Sequence, residues 1–301
     1  MAALTEALAA GDVVVLDGGL ATELERRGND ISSVLWSARL LSDDPAEIVA
    51  AHVAYFRAGA QVATTASYQA TFEGFAAAGV DERETARLLT RSVELARQAI
   101  DQASDSTGGG GWVAASVGPY GAMLADGSEY RGDYGLSVEA LRRFHRRRLE
   151  VLAEAGPDVL AMETVPCMAE AEALLTEADR LGHPAWLSLS CDGVRTRNGE
   201  LAVEAFAMAR DVDAVIALGI NCTAPRDVSD LIPLAAQASG KPVVVYPNSG
   251  ELWEAENRSW SGATGFEAEA VRAWVDAGAR LVGGCCRVGP EQIAGVAAAL
   301  R

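Results

Sequence analysis

The chain has 301 residues, 50% of them apolar and 6% aromatic, with a formal charge of −17 at neutral pH. That length and apolar content suffice for a large buried core. The acidic balance argues against nucleic acid and anionic membrane surfaces as partners, because phosphate binding needs clustered Lys and Arg.

In chain order, short β-rich apolar runs alternate with amphipathic helical stretches. The first ten residues contain Glu6 and lack a basic segment followed by an apolar core, so no signal peptide is expected. No stretch approaches the roughly 18 apolar residues of a membrane span. Strands are expected at 13–16, 61–65, 112–117, 159–162, 186–190, 214–220, 243–246 and 280–282. Helices are expected at 46–58, 82–102, 138–155, 169–181, 200–209, 226–238, 265–277 and 290–300. Pro45 after Ser42-Asp43-Asp44 marks one helix start, and Gly59, Gly156, Gly182, Gly240 and Gly278 each follow a helix end.

Eight alternations predict an α/β fold, a single-domain (β/α)8 TIM-type barrel over residues 1–301. An open doubly wound sheet is the alternative. Against it, no GxGxxG opens a helix after the first strand, and Asp17-Gly18-Gly19 has too few glycines. The basic run 142–148 lies in a predicted helix and reads as a solvated face. His52, His145 and His183 avoid the C-terminal ends of strands, so they read as surface or rim residues rather than ligands.

In a barrel, the loops after strands form the working face. Here they carry Asp17-Gly18-Gly19, Ala66-Ser67-Tyr68-Gln69, a long segment from Gly118 to Tyr134, Glu163-Thr164-Val165-Pro166, Asn221-Cys222, Pro247-Asn248-Ser249 and Gly283-Gly284-Cys285-Cys286. The loop after the seventh strand includes Trp253 and Trp260, which either line a pocket or cover the rim.

Five cysteines, an odd number, imply no disulfide scaffold and suit a reducing cytoplasm. Cys222, Cys285 and Cys286 come from two strand ends and can leave one tetrahedral position open on zinc. A sulfur-only shell is a weak Lewis acid for hydrolysis but suits binding and deprotonating another thiol. Gly283 and Gly284 would let the backbone approach metal and substrate closely. The residues alone leave three readings open: a catalytic zinc site, a closed structural site with Cys167 or Cys191 as fourth ligand, and a buried thiol cluster without metal.

Nearly end to end, the chain resembles the zinc-dependent homocysteine S-methyltransferases, in particular the group that uses S-methylmethionine. The matching segments include Asp17-Gly18-Gly19-Leu20-Ala21-Thr22-Glu23-Leu24, Thr64-Thr65-Ala66-Ser67-Tyr68-Gln69, Asp126-Gly127-Ser128-Glu129-Tyr130-Arg131-Gly132, Gly219-Ile220-Asn221-Cys222 and Gly283-Gly284-Cys285-Cys286-Arg287. The resemblance implies a (β/α)8 barrel with Zn2+ on Cys222, Cys285 and Cys286. It implies that Asp17 and Glu163 hold the amino-acid part of homocysteine, Glu163 by pairing with its ammonium. Backbone N–H groups near Ser67 and Thr164 are expected at the substrate carboxylate. Two departures stand out: Val288-Gly289-Pro290 replaces a common Thr-Thr-Pro, which would weaken the start of the last helix by roughly 1 kcal/mol, and matches thin out at 192–198 and 251–262.

The expected reaction is one in-line displacement, in which homocysteine thiolate takes a methyl group from a sulfonium donor to form methionine. S-methylmethionine is the first donor expected and S-adenosylmethionine the second. The partners are these small molecules, with no cobalamin. Tyr68, Tyr120, Glu129, Tyr130 and Trp36 are candidate walls for a cationic donor. Competing readings are a related thiol or selenol methyltransferase with another donor such as betaine, and a non-catalytic zinc or redox protein. Arg287 has no assigned role beyond a carboxylate partner at the barrel rim.

Overall fold

The computed structural model describes residues 2–31, 36–108, 110–254, 259–262 and 264–301. Eight strands carry the fold: β1 (Val14–Val15), β2 (Val62–Thr64), β3 (Trp112–Val117), β4 (Val159–Val165), β5 (Ala185–Leu189), β6 (Val215–Asn221), β7 (Val243–Tyr246) and β8 (Ala279–Val282). The helices that follow them are α1 (Pro45–Arg57), α2 (Glu82–Gln102), α3 (Val138–Glu154), α4 (Met168–Leu181), α5 (Ala202–Ala207), α6 (Pro225–Ser239), α7 (Ala270–Asp276) and α8 (Pro290–Ala299). Every hydrogen-bonded pair among the eight is parallel, in the order β1-β8-β7-β6-β5-β4-β3-β2. This is the expected (β/α)8 barrel. Among the described residues, no helix is long and apolar enough to cross a membrane.

The seam between β1 and β2 closes in an unusual way. With only two residues, β1 offers few ladder rungs. Gln61 takes their place: its N–H donates to Val15 O at 2.7 Å, and its side-chain oxygen accepts from the Val15 N–H at 2.9 Å. One residue beyond Leu16, the Asp17 carboxylate accepts from the N–H of Thr64 at 2.7 Å and from its hydroxyl at 2.8 Å.

The barrel interior changes character along its axis. Toward the N-terminal ends of the strands it is apolar, built from residues such as Val14, Val62, Trp112, Val159 and Trp186. A helix that the sequence reading passes over, Leu4–Ala9, seals this end with Leu4 and Leu8. Toward the C-terminal ends come Ser116, Glu163, Ser188, Asn221 and Tyr246, all buried. Buried polar groups are costly unless partnered, and these bond to one another. Ser188 Oγ donates to Asn221 Oδ1 at 2.9 Å and lies 2.6 Å from the Tyr246 hydroxyl, which accepts from Trp186 Nε1 at 3.0 Å. A second apolar shell fills the space between the strands and the helices.

Four expectations change. β4 runs on to Val165 with a register shift after Met162, so Glu163 and Thr164 belong to an irregular strand end rather than a loop. The basic run is only partly solvated, because His145 and Arg148 fall on the stripe of α3 that also buries Leu141, Leu149 and Leu152. There Arg148 donates to Gly118 O and to His145 Nδ1, and His145 Nε2 donates to Glu170 at 2.8 Å. His52 is likewise buried in α1, with neither ring nitrogen hydrogen-bonded among the described residues. At α8, the missing hydroxyl cap is offset by Gln292, whose Oε1 accepts from the Gly289 N–H at 3.0 Å.

Candidate active site

Cys222 follows the last residue of β6, and Cys285 and Cys286 follow β8 by two glycines. Those glycines serve packing. A Cβ on Gly283 would lie 2.6 Å from Asp17 O, and one on Gly284 would lie 2.1 Å from the Val288 side chain. The end of β1 excludes a side chain at Gly283, and the turn's own Val288 excludes one at Gly284. The turn is then pinned from both sides: Gly284 N–H donates to Asp17 O at 3.0 Å, and Cys285 N–H to Pro247 O at 2.8 Å.

Backbone strain gathers at the same place. Among the described residues, four non-glycines have positive φ, and three of them are Thr164 at 60°, Cys222 at 46° and Arg287 at 65°. Each such conformation costs about 1–3 kcal/mol and persists only where neighbours over-determine it. Asn221 clamps Thr164 by accepting its N–H at 2.6 Å and donating to its hydroxyl at 2.8 Å. The Cys222 carbonyl accepts from Ser190 and from Arg197, each at 3.1 Å. Arg287 donates its N–H to Thr22 at 2.9 Å and pairs with Glu251 at 3.3 Å, which supplies the rim carboxylate expected for it.

The three sulfurs converge. Cys222 Sγ lies 2.6 Å from Cys285 Sγ and 3.8 Å from Cys286 Sγ, and the adjacent pair is 4.0 Å apart. A tetrahedral shell with zinc–sulfur bonds of about 2.3 Å sets its sulfurs about 3.8 Å apart. Two of the three separations fit, and the Cys222–Cys285 pair would open by about 1 Å to match. The thiols also share charge. Contacts from Cys222 and Cys285 hold Cys286 well below the usual thiol range, while Cys222 and Cys286 push Cys285 well above it. One negative charge is thus easily borne, and further deprotonation calls for a cation. The three cysteines together could hold a metal ion. Donors stand nearby, with the Tyr130 hydroxyl 4.0 Å from Cys222 Sγ and Asn221 Nδ2 3.9 Å from Cys285 Sγ.

Beside the sulfurs lies a pocket walled by Asp17, Thr64, Tyr68, Glu129, Tyr130 and Glu163, among others. Its three acids are buried. Burial pushes Asp17 up to about 7 despite the two Thr64 hydrogen bonds. Burial likewise pushes Glu163 up to about 7, against a hydrogen bond from Ser116 and with a further rise from Cys222. Glu129 reaches about 7, again chiefly through burial. Among the described residues, none that lines this pocket is Lys, Arg or His.

The residues expected at the site divide. Cys222, Cys285, Cys286, Asp17, Glu163, Thr164 and Tyr130 all line the pocket, as do Tyr68 and Glu129. Ser67 does not; its hydroxyl donates to Ser116 O at 2.7 Å inside the wall. The Thr164 N–H, expected near a substrate carboxylate, donates to Asn221 Oδ1 at 2.6 Å. Tyr120 packs edge-on against Tyr134 and Phe144, away from the pocket. The side chains of Trp36, Trp253 and Trp260 lie outside the described residues. Cys167 and Cys191 are buried elsewhere and do not join the sulfur cluster. The sequence reading missed Ser116 and Tyr246 as parts of the site, and placed Asn221 on the working face without giving it a role. Their signal was available, since hydroxyls and an amide in otherwise apolar strands must face something polar.

Comparison with known proteins agrees with this geometry. A family model described as homocysteine S-methyltransferase matches residues 14–300. The Bacillus subtilis homocysteine S-methyltransferase YbgG is 45% identical over 303 residues, covering 95% of this chain and 94% of that protein. A selenocysteine methyltransferase from Astragalus bisulcatus is 43% identical over 311 residues, covering 95% of this chain and 92% of that protein. The crystal structure of the Escherichia coli homocysteine methyltransferase MmuM in its metallated form superposes with a TM-score of 0.86 at 44% identity, covering 95% of this chain and 96% of that one. The chain belongs to the homocysteine S-methyltransferase family.

Proposed function

We propose that the protein methylates the sulfur of homocysteine with S-methylmethionine as donor, using zinc held by Cys222, Cys285 and Cys286. The observation that carries this reading is the pairing of three convergent thiols with a pocket of buried acids that lacks any basic side chain among the described residues. Such a pocket suits ligands that bring positive charge: a dication, an ammonium and a sulfonium. Sulfur donors favour a soft or borderline metal, and zinc is the redox-inert choice. Zinc bound there would lower the pKa of an incoming thiol and so supply a thiolate at neutral pH.

The chain's own residues then bind and orient. Glu163, fixed by the Ser116 hydroxyl, takes the homocysteine ammonium, and Asp17 adds charge from the β1–β2 seam. Thr164 contributes its side chain to the wall, and Tyr130 bounds the space above Cys222. Ser67 acts indirectly by holding Ser116. In the transfer, homocysteine sulfur forms a bond to the methyl carbon as the donor's sulfonium–methyl bond breaks. The electron pair of that bond stays on the leaving sulfur, giving two molecules of methionine and cancelling both charges. Cobalamin has no part in a direct transfer. A single barrel domain houses the chemistry, and five free cysteines suit a reducing, cytoplasmic setting.

The test is an assay of metal-replete protein with homocysteine and S-methylmethionine, against a chelated control. Methionine well above the control supports the reading, and none refutes it. A clear preference for betaine or S-adenosylmethionine at equal concentration would overturn the donor.

A further inference from the structure

Glu129 occupies the short turn Ser128–Tyr130 in the long loop after β3. It is 7% exposed and faces the pocket, yet its Oε2 has no hydrogen-bond partner among the described residues. The nearest cation in sequence is directed elsewhere: Arg131 donates to Ser128 Oγ at 2.8 Å and pairs with Asp126 and Asp133. The turn is firmly seated, because a Cβ on Gly121 would come within 2.4 Å of Glu129 N. Glu129's own backbone N–H and the charge of Arg131 offset only part of the burial, and a buried carboxylate oxygen without a hydrogen-bond partner is costly to keep.

We propose that Glu129 is the residue that recognises the positively charged sulfur of the methyl donor. This rests on the methyl-transfer reading above. Under that reading the thiols take the metal and Glu163 with Asp17 takes the ammonium, so Glu129 is the acid left over. A sulfonium carries no N–H or O–H, so it cannot use a site built from hydrogen-bond acceptors in fixed directions. It needs charge and polarisable faces, and Tyr68 and Tyr130 line the same pocket as Glu129.

The chemistry gives this role a distinctive signature. The reaction cancels charge, since a thiolate and a sulfonium become two neutral thioethers. The positive charge beside Glu129 is therefore larger in the bound donor than in the transition state. A carboxylate there strengthens donor binding and selectivity without accelerating the chemical step.

The test compares zinc-loaded wild type with Glu129→Gln and Glu129→Asp. S-methylmethionine is varied at saturating homocysteine, and then the reverse. The donor KM should rise about tenfold to a hundredfold in Glu129→Gln, while kcat stays level or increases. The homocysteine KM should change by less than about twofold, and Glu129→Asp should recover part of the donor KM. Calorimetric titration with S-methylmethionine alone should show the same weakening. A folded Glu129→Gln variant with an unchanged donor KM overturns the assignment, as does a rise confined to homocysteine. If Glu129→Gln does not fold, Glu129→Asp decides, with an unchanged donor KM counting against the proposal. A wild type that makes no methionine sinks the methyl-transfer reading. In that case, titration still supports Glu129 as a sulfonium site if wild type binds S-methylmethionine and the Gln variant does not, and overturns it if both bind alike.

Discussion

Glu163 and Glu177 are the same residue type, and both are buried, yet they meet opposite surroundings. Glu177, on α4, is 0% exposed and receives side-chain hydrogen bonds from Arg142, Arg146 and Arg180. Burial pushes its carboxyl up, but the arginines outweigh this and hold it at about 2. Glu163, 6% exposed at the end of β4, has a serine hydroxyl and, among the described residues, no basic partner, and sits near 7. The difference shows that burial alone does not mark a working acid. Under the proposed function the missing counter-charge does, because a ligand would bring it.

The largest effect that would test this contrast is functional. Glu163→Gln should lower kcat/KM for homocysteine by about a hundredfold or more, with no loss of melting temperature at pH 8, since it removes a buried charge that lacks a counter-charge among the described residues. Steady-state kinetics and a thermal melt on the same preparation check both halves. Glu177→Gln should do the reverse, costing about 1–3 kcal/mol of stability while leaving kcat/KM within about twofold. If Glu177→Gln abolishes turnover in folded protein, the contrast breaks.

Ligand-free stability should also depend on pH in a specific direction. Asp17, Glu129 and Glu163 sit near 7, raised from 3.8, 4.5 and 4.5. Their contribution is fully present below those ordinary values and is lost as the pH rises through about 7. The metal-free protein should therefore melt lower at pH 8 than at pH 5.5, and Glu163→Gln should flatten the slope. His52 works in the opposite sense: burial pushes it from 6.5 to about 4, so its contribution is present above 6.5 and lost as the pH falls toward 4. His52→Leu should remove a penalty of about 2 kcal/mol at pH 5 and little at pH 8, the smallest of these effects. Melting curves across pH 4.5–8 check both signs, and a wild-type profile that rises steadily with pH would contradict the carboxylate account.

How much of this was legible in the sequence follows from periodicity. Eight apolar runs spaced by amphipathic helices announce a barrel, because β-period and helix-period patterns are long and repeated. The sulfur cluster was legible too, since Cys222 follows directly on a strand and the Cys285–Cys286 pair follows one after two glycines. What composition hides is partnership. The run Arg142–Arg148 reads as solvated until the helix stripe turns His145 and Arg148 inward. Thr164 reads as a loop donor until Asn221, 57 positions away, claims its N–H. Gln61 and Asp17 close a barrel seam through side chains, which no strand pattern encodes.

The account's central claim is that the three thiols hold the metal at which homocysteine sulfur is made reactive. The most direct measurement is zinc per chain and methionine formed, taken on the same samples of wild type and Cys286→Ser during metal depletion and readdition. The account predicts one zinc per chain in wild type, activity that follows zinc occupancy, and loss of both in Cys286→Ser. Full methionine formation by zinc-free protein, or full zinc retention by Cys286→Ser, would contradict it.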